Sequence, residues 1–135
     1  MRIAVLLCVS LALAACTTPG ERMGACAAGK SAVQTQLYFG LSKAKGVVTP
    51  REWQRFVERE IVPRFPQGFS VADVRGAWLS EEAKRTITEN SKLLIRVHDG
   101  TTADNAAIGA IIDSYKRMFA QESVMRIDQG ICVAF

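Results

Sequence analysis

Histidine is close to absent from this chain of 135 residues, with His98 alone, and there are only four prolines, four cysteines and two tryptophans. A single imidazole excludes the paired-histidine metal sites, and with the cysteines otherwise employed no metal or cofactor is expected. No serine lies in a Gly-x-Ser-x-Gly pattern, so the nucleophile elbow of the hydrolases is missing. No block of like charges occurs, and the formal net charge of +4 is scattered along the chain. Such a charge suits weak attraction to anionic membrane or envelope polymers, and nucleic acid is not expected as a partner because the chain carries an export signal. No apolar run reaches the ~20 residues that cross a bilayer.

What is present begins with an export signal. Arg2 is followed by an apolar run from Ile3 to Ala15 broken only by Ser10, with no basic stop-transfer flank behind it. That pattern predicts a signal peptide over 1–15 rather than an anchor. Its end, Leu13-Ala14-Ala15-Cys16, resembles the bacterial lipobox. The resemblance implies cleavage before Cys16, lipid on its sulfur and a tether to the outer side of a membrane, each buried CH2 contributing roughly 0.8 kcal/mol. Thr17 rather than Asp after the cysteine implies the periplasmic face of the outer membrane. Residues 16–32 are small and polar and read as a flexible tether, leaving 33–135 for one domain.

Cys8 leaves with the signal and Cys16 takes the lipid, so Cys26 and Cys132 remain as thiols in an oxidising compartment. An even pair there favours a disulfide. Two unrelated thiols stay open as the alternative, since spacing alone does not bring their Cα atoms into range.

Periodicity gives the order of elements. Gln36–Phe39 alternates as a strand closed by Gly40; Thr49-Pro50-Arg51-Glu52 is a capping box opening a helix that carries Trp53, Phe56, Val57 and Ile61 and stops at Pro63. Strands are expected over Val71–Leu79 and Leu93–His98, joined by an extended hairpin. A second helix from Thr101 or Thr102 carries Ile108, Ile111, Ile112, Tyr115 and Phe119. A last strand over Val124–Phe135 has a glycine, Gly130, that suggests a bulge. The order β-α-β-β-α-β predicts an α+β, ferredoxin-like split βαβ sandwich: a four-stranded antiparallel sheet with two helices on one face and the other face open.

Tyr38-Phe39-Gly40, then Phe65-Pro66-Gln67-Gly68-Phe69 with Asp73, Gly76 and Trp78, then Tyr115, Phe119 and Gln121-Glu122-Ser123-Val124 form a combination spread over nearly the whole mature domain. It resembles a family of small exported bacterial lipoproteins known as domain of unknown function 3574. The resemblance implies the fold and the envelope location. It implies no activity, and no catalytic residues carry over.

His98, at a strand end before Asp99, is the first candidate for acid–base work, against the plainer reading of a hydrogen-bonded structural residue. Glu122 and Asp73 read more simply as an ion-pair partner and a turn residue, Trp53 as core, and Trp78 has no assignable side. If Leu93, Ile95 and Val97 face the helices, period two sends Leu94, Arg96 and His98 to the open face, where Gln36, Tyr38, Arg126 and Asp128 join them. Tyr38, Arg96, His98, Arg126 and Asp128 are therefore the expected ligand or partner surface. A solvated sheet face or a self-association surface is the competing reading. The aromatic signature of RNA-binding sheets is missing. The favoured function is an envelope-anchored interaction or ligand-binding module, its partners being the bilayer through Cys16, an envelope protein or small anionic ligand, or a second copy through the sheet face. The alternative is a small periplasmic enzyme with His98 as acid/base, Arg96 and Arg126 polarising a carboxylate or phosphate.

Overall fold

Thr35, Leu37 and Phe39 alternate with Gln34, Gln36 and Tyr38, and this period of two shapes β1 (Lys30–Gly40) in the computed structural model, which describes residues 26–43, 45–81 and 83–135. The export signal, Cys16 and most of the tether lie outside those residues. β1 reaches back to Lys30, into the segment expected to be tether, and Cys26 is bonded to Cys132 with a Cα–Cα separation of 5.5 Å. Gly29 allows that end to close: at its φ of +74° a Cβ would stand 1.9 Å from the Val133 carbonyl oxygen.

A short hairpin, β2 (Ser42–Lys43) and β3 (Gly46–Val47), leads to α1 (Pro50–Phe56), which runs on as a π-helical stretch, Val57–Ile61. Thr49 caps α1 as expected: its hydroxyl accepts from the Glu52 N–H while the Glu52 carboxylate accepts from the Thr49 N–H. β4 (Ser70–Ser80) and β5 (Arg85–His98) form a hairpin longer than the apolar runs suggested, because the polar stretch between them is itself paired. Then come α2 (Thr102–Phe119), capped by Thr101 and Asp104, and β6 (Met125–Val133). The sheet order is β4-β5-β1-β6, antiparallel throughout. With two helices on one face, this is the ferredoxin-like α+β sandwich. The expected bulge is absent, since the β1–β6 ladder runs unbroken through Gln34↔Gln129 and Val33↔Gly130.

Between the helices and the sheet lie Leu37, Phe39, Phe56, Leu94, Ile108, Ile111 and Tyr115, all fully buried, with Trp53 beside them. The rings meet edge to face, Phe39 and Tyr115 at 4.7 Å and Phe56 and Tyr115 at 5.1 Å. Tyr115 donates its hydroxyl to the Gly40 carbonyl at 2.7 Å. Burial, with the charges of Glu89 and Glu52, raises its hydroxyl above the ordinary phenol range.

The register corrects the expected faces. Leu37 pairs with Leu94 and Thr35 with Arg96, so Leu94, Arg96 and His98 share the helix side of the sheet. Leu37 also pairs with Arg126 and Thr35 with Asp128, placing both on that side. Tyr38 pairs with Leu93 and Met125 on the opposite face. Leu93, Ile95 and Val97, expected in the core, therefore line the open face. On the helix side of β5 Leu94 stands between Lys92 and Arg96, so one fully buried leucine of this strand serves the core.

Candidate functional site

β4 stops pairing at Ser70↔Ile95, so Arg96, Val97 and His98 at the end of β5 have no strand on that edge. The chain entering β4 fills part of the gap. Arg96 Nη1 donates to the Gly68 carbonyl at 2.9 Å and Nη2 to Gln67 Oε1 at 3.1 Å. Its guanidinium lies over the Phe65 ring, 5.3 Å from the centroid. The Nε atom is buried and, among the described residues, has no hydrogen-bond partner. An unpaired buried donor of a cation is a costly group. Beside it opens a cleft of about 490 Å3, bounded by Arg96, Phe69, Ala32, Val133, Phe135 and Asp99. Lys30 pairs with Asp99 at 2.9 Å across its mouth.

His98 closes the inner wall. It is 6% exposed, and both ring nitrogens are engaged. The Gly100 N–H donates to Nδ1 at 3.1 Å, which assigns the proton to Nε2, and Nε2 donates to Thr35 Oγ1 at 2.8 Å. The Thr35 hydroxyl in turn donates to Asp128 Oδ1. Arg126 Nε holds Asp128 Oδ2 at 2.9 Å, and Arg126 Nη2 donates to Asn105 Oδ1 at 2.6 Å. Asn105 bonds the Thr101 carbonyl at 2.9 Å, so the chain of donors ends on the first turn of α2. Burial pulls the Asp128 carboxyl upward, but the bonds from Thr35 and Arg126 outweigh it and leave it below the ordinary value. Asp104, 3.5 Å from His98 Nδ1, behaves alike: burial raises it, and the Thr101 bonds with the attraction of His98 bring it lower.

Of the residues expected from sequence, Arg96 and His98 share this corner, and Thr35 links His98 to Asp128 and so to Arg126. Tyr38 stands apart on the open face, its hydroxyl donating to Gln36 at 3.0 Å. The five do not form one open-face surface. His98, with both nitrogens satisfied, offers no free lone pair to a substrate. Thr35, Gln67 and Asn105 were not among the expected residues. A signal for Thr35 existed, because a hydroxyl in phase with Leu37 and Phe39 is a polar group on the core face that needs a partner. Among the described residues no group of three His, Cys, Asp or Glu side chains is placed to hold a metal ion.

The family described as a protein of unknown function, DUF3574, matches residues 34–135. No curated protein matches the chain. Two solved structures are similar in fold. A phage SAM lyase in complex with S-methyl-5'-thioadenosine aligns at a TM-score of 0.54 and 22% identity, over 86% of this chain and 97% of that one. The phage SAM lyase in its apo state aligns at 0.53 and 21%, over 87% and 98%.

Proposed function

We propose, for a chain that belongs to the DUF3574 family of proteins of unknown function, that the domain is a ligand-binding module whose cleft takes a small molecule bearing a carboxylate. The observation that carries this reading is Arg96, a cation of the cleft wall oriented by Gly68, Gln67 and Phe65. A carboxylate seated there gains charge-assisted bonds to a guanidinium that is already positioned. Phe69, Val133 and Phe135 offer apolar contact to the rest of the ligand. The favoured surface thus contracts to the sheet's end, where the cleft takes in Arg96 together with the open-face residues Ile95 and Val97. We further propose that the module is exported and tethered by lipid on Cys16, a reading supported by the Leu13–Cys16 pattern and by a disulfide suited to an oxidising compartment.

A second reading, cleavage of S-adenosylmethionine, is favoured by the likeness to the phage SAM lyase over nearly all of that chain. One experiment serves both. The full chain is titrated calorimetrically with S-adenosylmethionine, which carries a carboxylate, and the mixture is assayed for S-methyl-5'-thioadenosine. Binding is expected to weaken roughly tenfold or more in Arg96→Ala, the worth of a hydrogen bond to a charged group. Binding without release of the thioadenosine supports the first reading, and release supports the second. No heat from the wild type at millimolar ligand, or an affinity indifferent to Arg96→Ala, overturns the carboxylate site.

A further inference from the structure

An antiparallel sheet packed on one side usually turns a wet, alternating face to solvent on the other. This one does not. Opposite the helices, β5 presents Leu93, Ile95 and Val97, and β6 presents Met125, Ile127 and Ile131. Met125 is 53% exposed and Ile127 42%. The polar side chains among them on β1 are the neutral Gln34 and Gln36, with the Tyr38 hydroxyl turned onto Gln36. Where β5, β1 and β6 lie side by side, the described residues on this face carry no charge between Lys30 at one end and Glu89 at the other. An apolar expanse of this size is unusual on a monomer.

We propose that a second copy of the chain covers this face, related by a two-fold axis running across the strands between the two sheets. Such an axis lays the Lys30 end of one copy over the Glu89 end of the other, so Lys30, which pairs with Asp99 in the single chain, comes within reach of the other copy's Glu89, and the contact forms twice. It also sets apolar centre on apolar centre, with the glutamine amides free to bond one another across the axis. The area suffices. β5, β1 and β6, about 4.8 Å apart and roughly nine residues long, present a plane of about 400–450 Å2 before side-chain relief is added. That is of the order of the ~800 Å2 each partner contributes to a stable complex. A bilayer is a poorer occupant, because membrane-docking faces are rimmed with Lys and Arg and this one has a single lysine at one end. The face meets the cleft at one end, where Lys30, Ile95 and Val97 belong to both, so a ligand and a second copy would be neighbours there.

The test uses the full chain in its own membrane, with a photo-reactive residue in place of Gln36. Illumination should give a product with the mass of two chains, and Ile127→Arg should abolish it. Both Ile127 and Met125 are already exposed in the single chain, so Met125→Arg serves as a second variant that leaves folding intact. In sedimentation of the detergent-extracted protein, either arginine should weaken association by roughly a hundredfold or more, the result of leaving a cation buried and unpaired. Lys30→Glu should weaken it about three- to tenfold, counting the lost pair twice, and adding Glu89→Lys should restore it. A product joined to a different protein or to lipid overturns the proposal, as does a two-chain mass that ignores both arginines. Failure of the charge reversal to restore association overturns the two-fold arrangement.

Discussion

Replacing the Thr35 hydroxyl with a methyl would strand the Nε2–H of His98 and take one bond from Asp128 Oδ1, which keeps Arg126 Nε at 3.1 Å. The side chain is fully buried, so water does not take its place. Thr35→Val, nearly the same shape, is expected to cost about 1–3 kcal/mol, and Thr35→Ser, which keeps the oxygen, distinctly less. Urea midpoints at constant slope measure both; equal losses would mean that the methyl and not the hydroxyl matters. The same corner sets a pH dependence. Asp104 and Asp128 both sit below the ordinary 3.8 in the folded protein, burial raising them and hydrogen bonds more than reversing it. A carboxyl depressed on folding contributes stability that is present above its unfolded value and lost as pH falls through its folded value. Stability should therefore decline as pH falls below about 4, the unfolded carboxyl range, and Asp128→Asn should flatten that decline. A slope unchanged in Asp128→Asn would remove it from the account. His98 drew suspicion in the sequence because it is alone. Its partners did not, because Thr35 reaches it from a residue 63 positions away, and sequence gives no measure of that approach.

The helices were the legible elements. α1 announced itself by Thr49 with Glu52 three residues on and α2 by its apolar spacing, and the structure shows a capping box at each. Thr101→Ala should cost about 1 kcal/mol. It should also loosen the turn that carries Asp104 and Asn105, so hydrogen exchange in the first turn of α2 is the sharper measure. Unchanged exchange there would show that the box is dispensable. At α1, the Thr49 backbone bond and then Lys43 hold Glu52 down, from the ordinary 4.5 to about 2. The α1 cap should accordingly persist in acid until pH approaches 2. Strand β5 misled for a definite reason. Leu93, Ile95 and Val97 outnumber Leu94 three to one, and a rule that gives the core the more apolar phase chooses the wrong side. Apolar phase reports burial against anything, and a face that meets a second copy reads like one that meets a helix. The polar phase of β5 was read as surface, yet its last two members are engaged, Arg96 by the loop before β4 and His98 by Thr35 of β1 with Asp104 of α2 beside it.

At the scale of the whole molecule, one proposed covalent feature and one present in the structure bear on where the chain works. Lipid on Cys16 should appear as fatty-acid label in cells making the wild type and vanish in Cys16→Ser; label surviving that change would refute the tether. The disulfide acts on the fold itself. Cys26 precedes β1 and Cys132 pairs in register with Ser31 near the end of β6, so the bond ties the start of the first strand to the end of the last. Its partners are 106 residues apart, and a crosslink over so long a loop removes much of the freedom of the unfolded chain. The expected contribution is about 4–5 kcal/mol on the chain-entropy estimate, with engineered and native bridges often delivering less. β6 is an edge strand, paired only with β1, so without the bond its far end is the first part of the sheet able to peel away. Peeling would also open the cleft, since Val133 and Phe135 form one of its walls while Arg96 stays fixed on the other. The Cys26→Ser/Cys132→Ser double variant should therefore lose several kcal/mol of stability in urea. Its loss of ligand affinity should appear before global unfolding, together with faster hydrogen exchange from Ile131 to Val133. A double variant as stable as the wild type, with β6 exchanging no faster, would show that the strand pairing alone holds the two ends of the chain together.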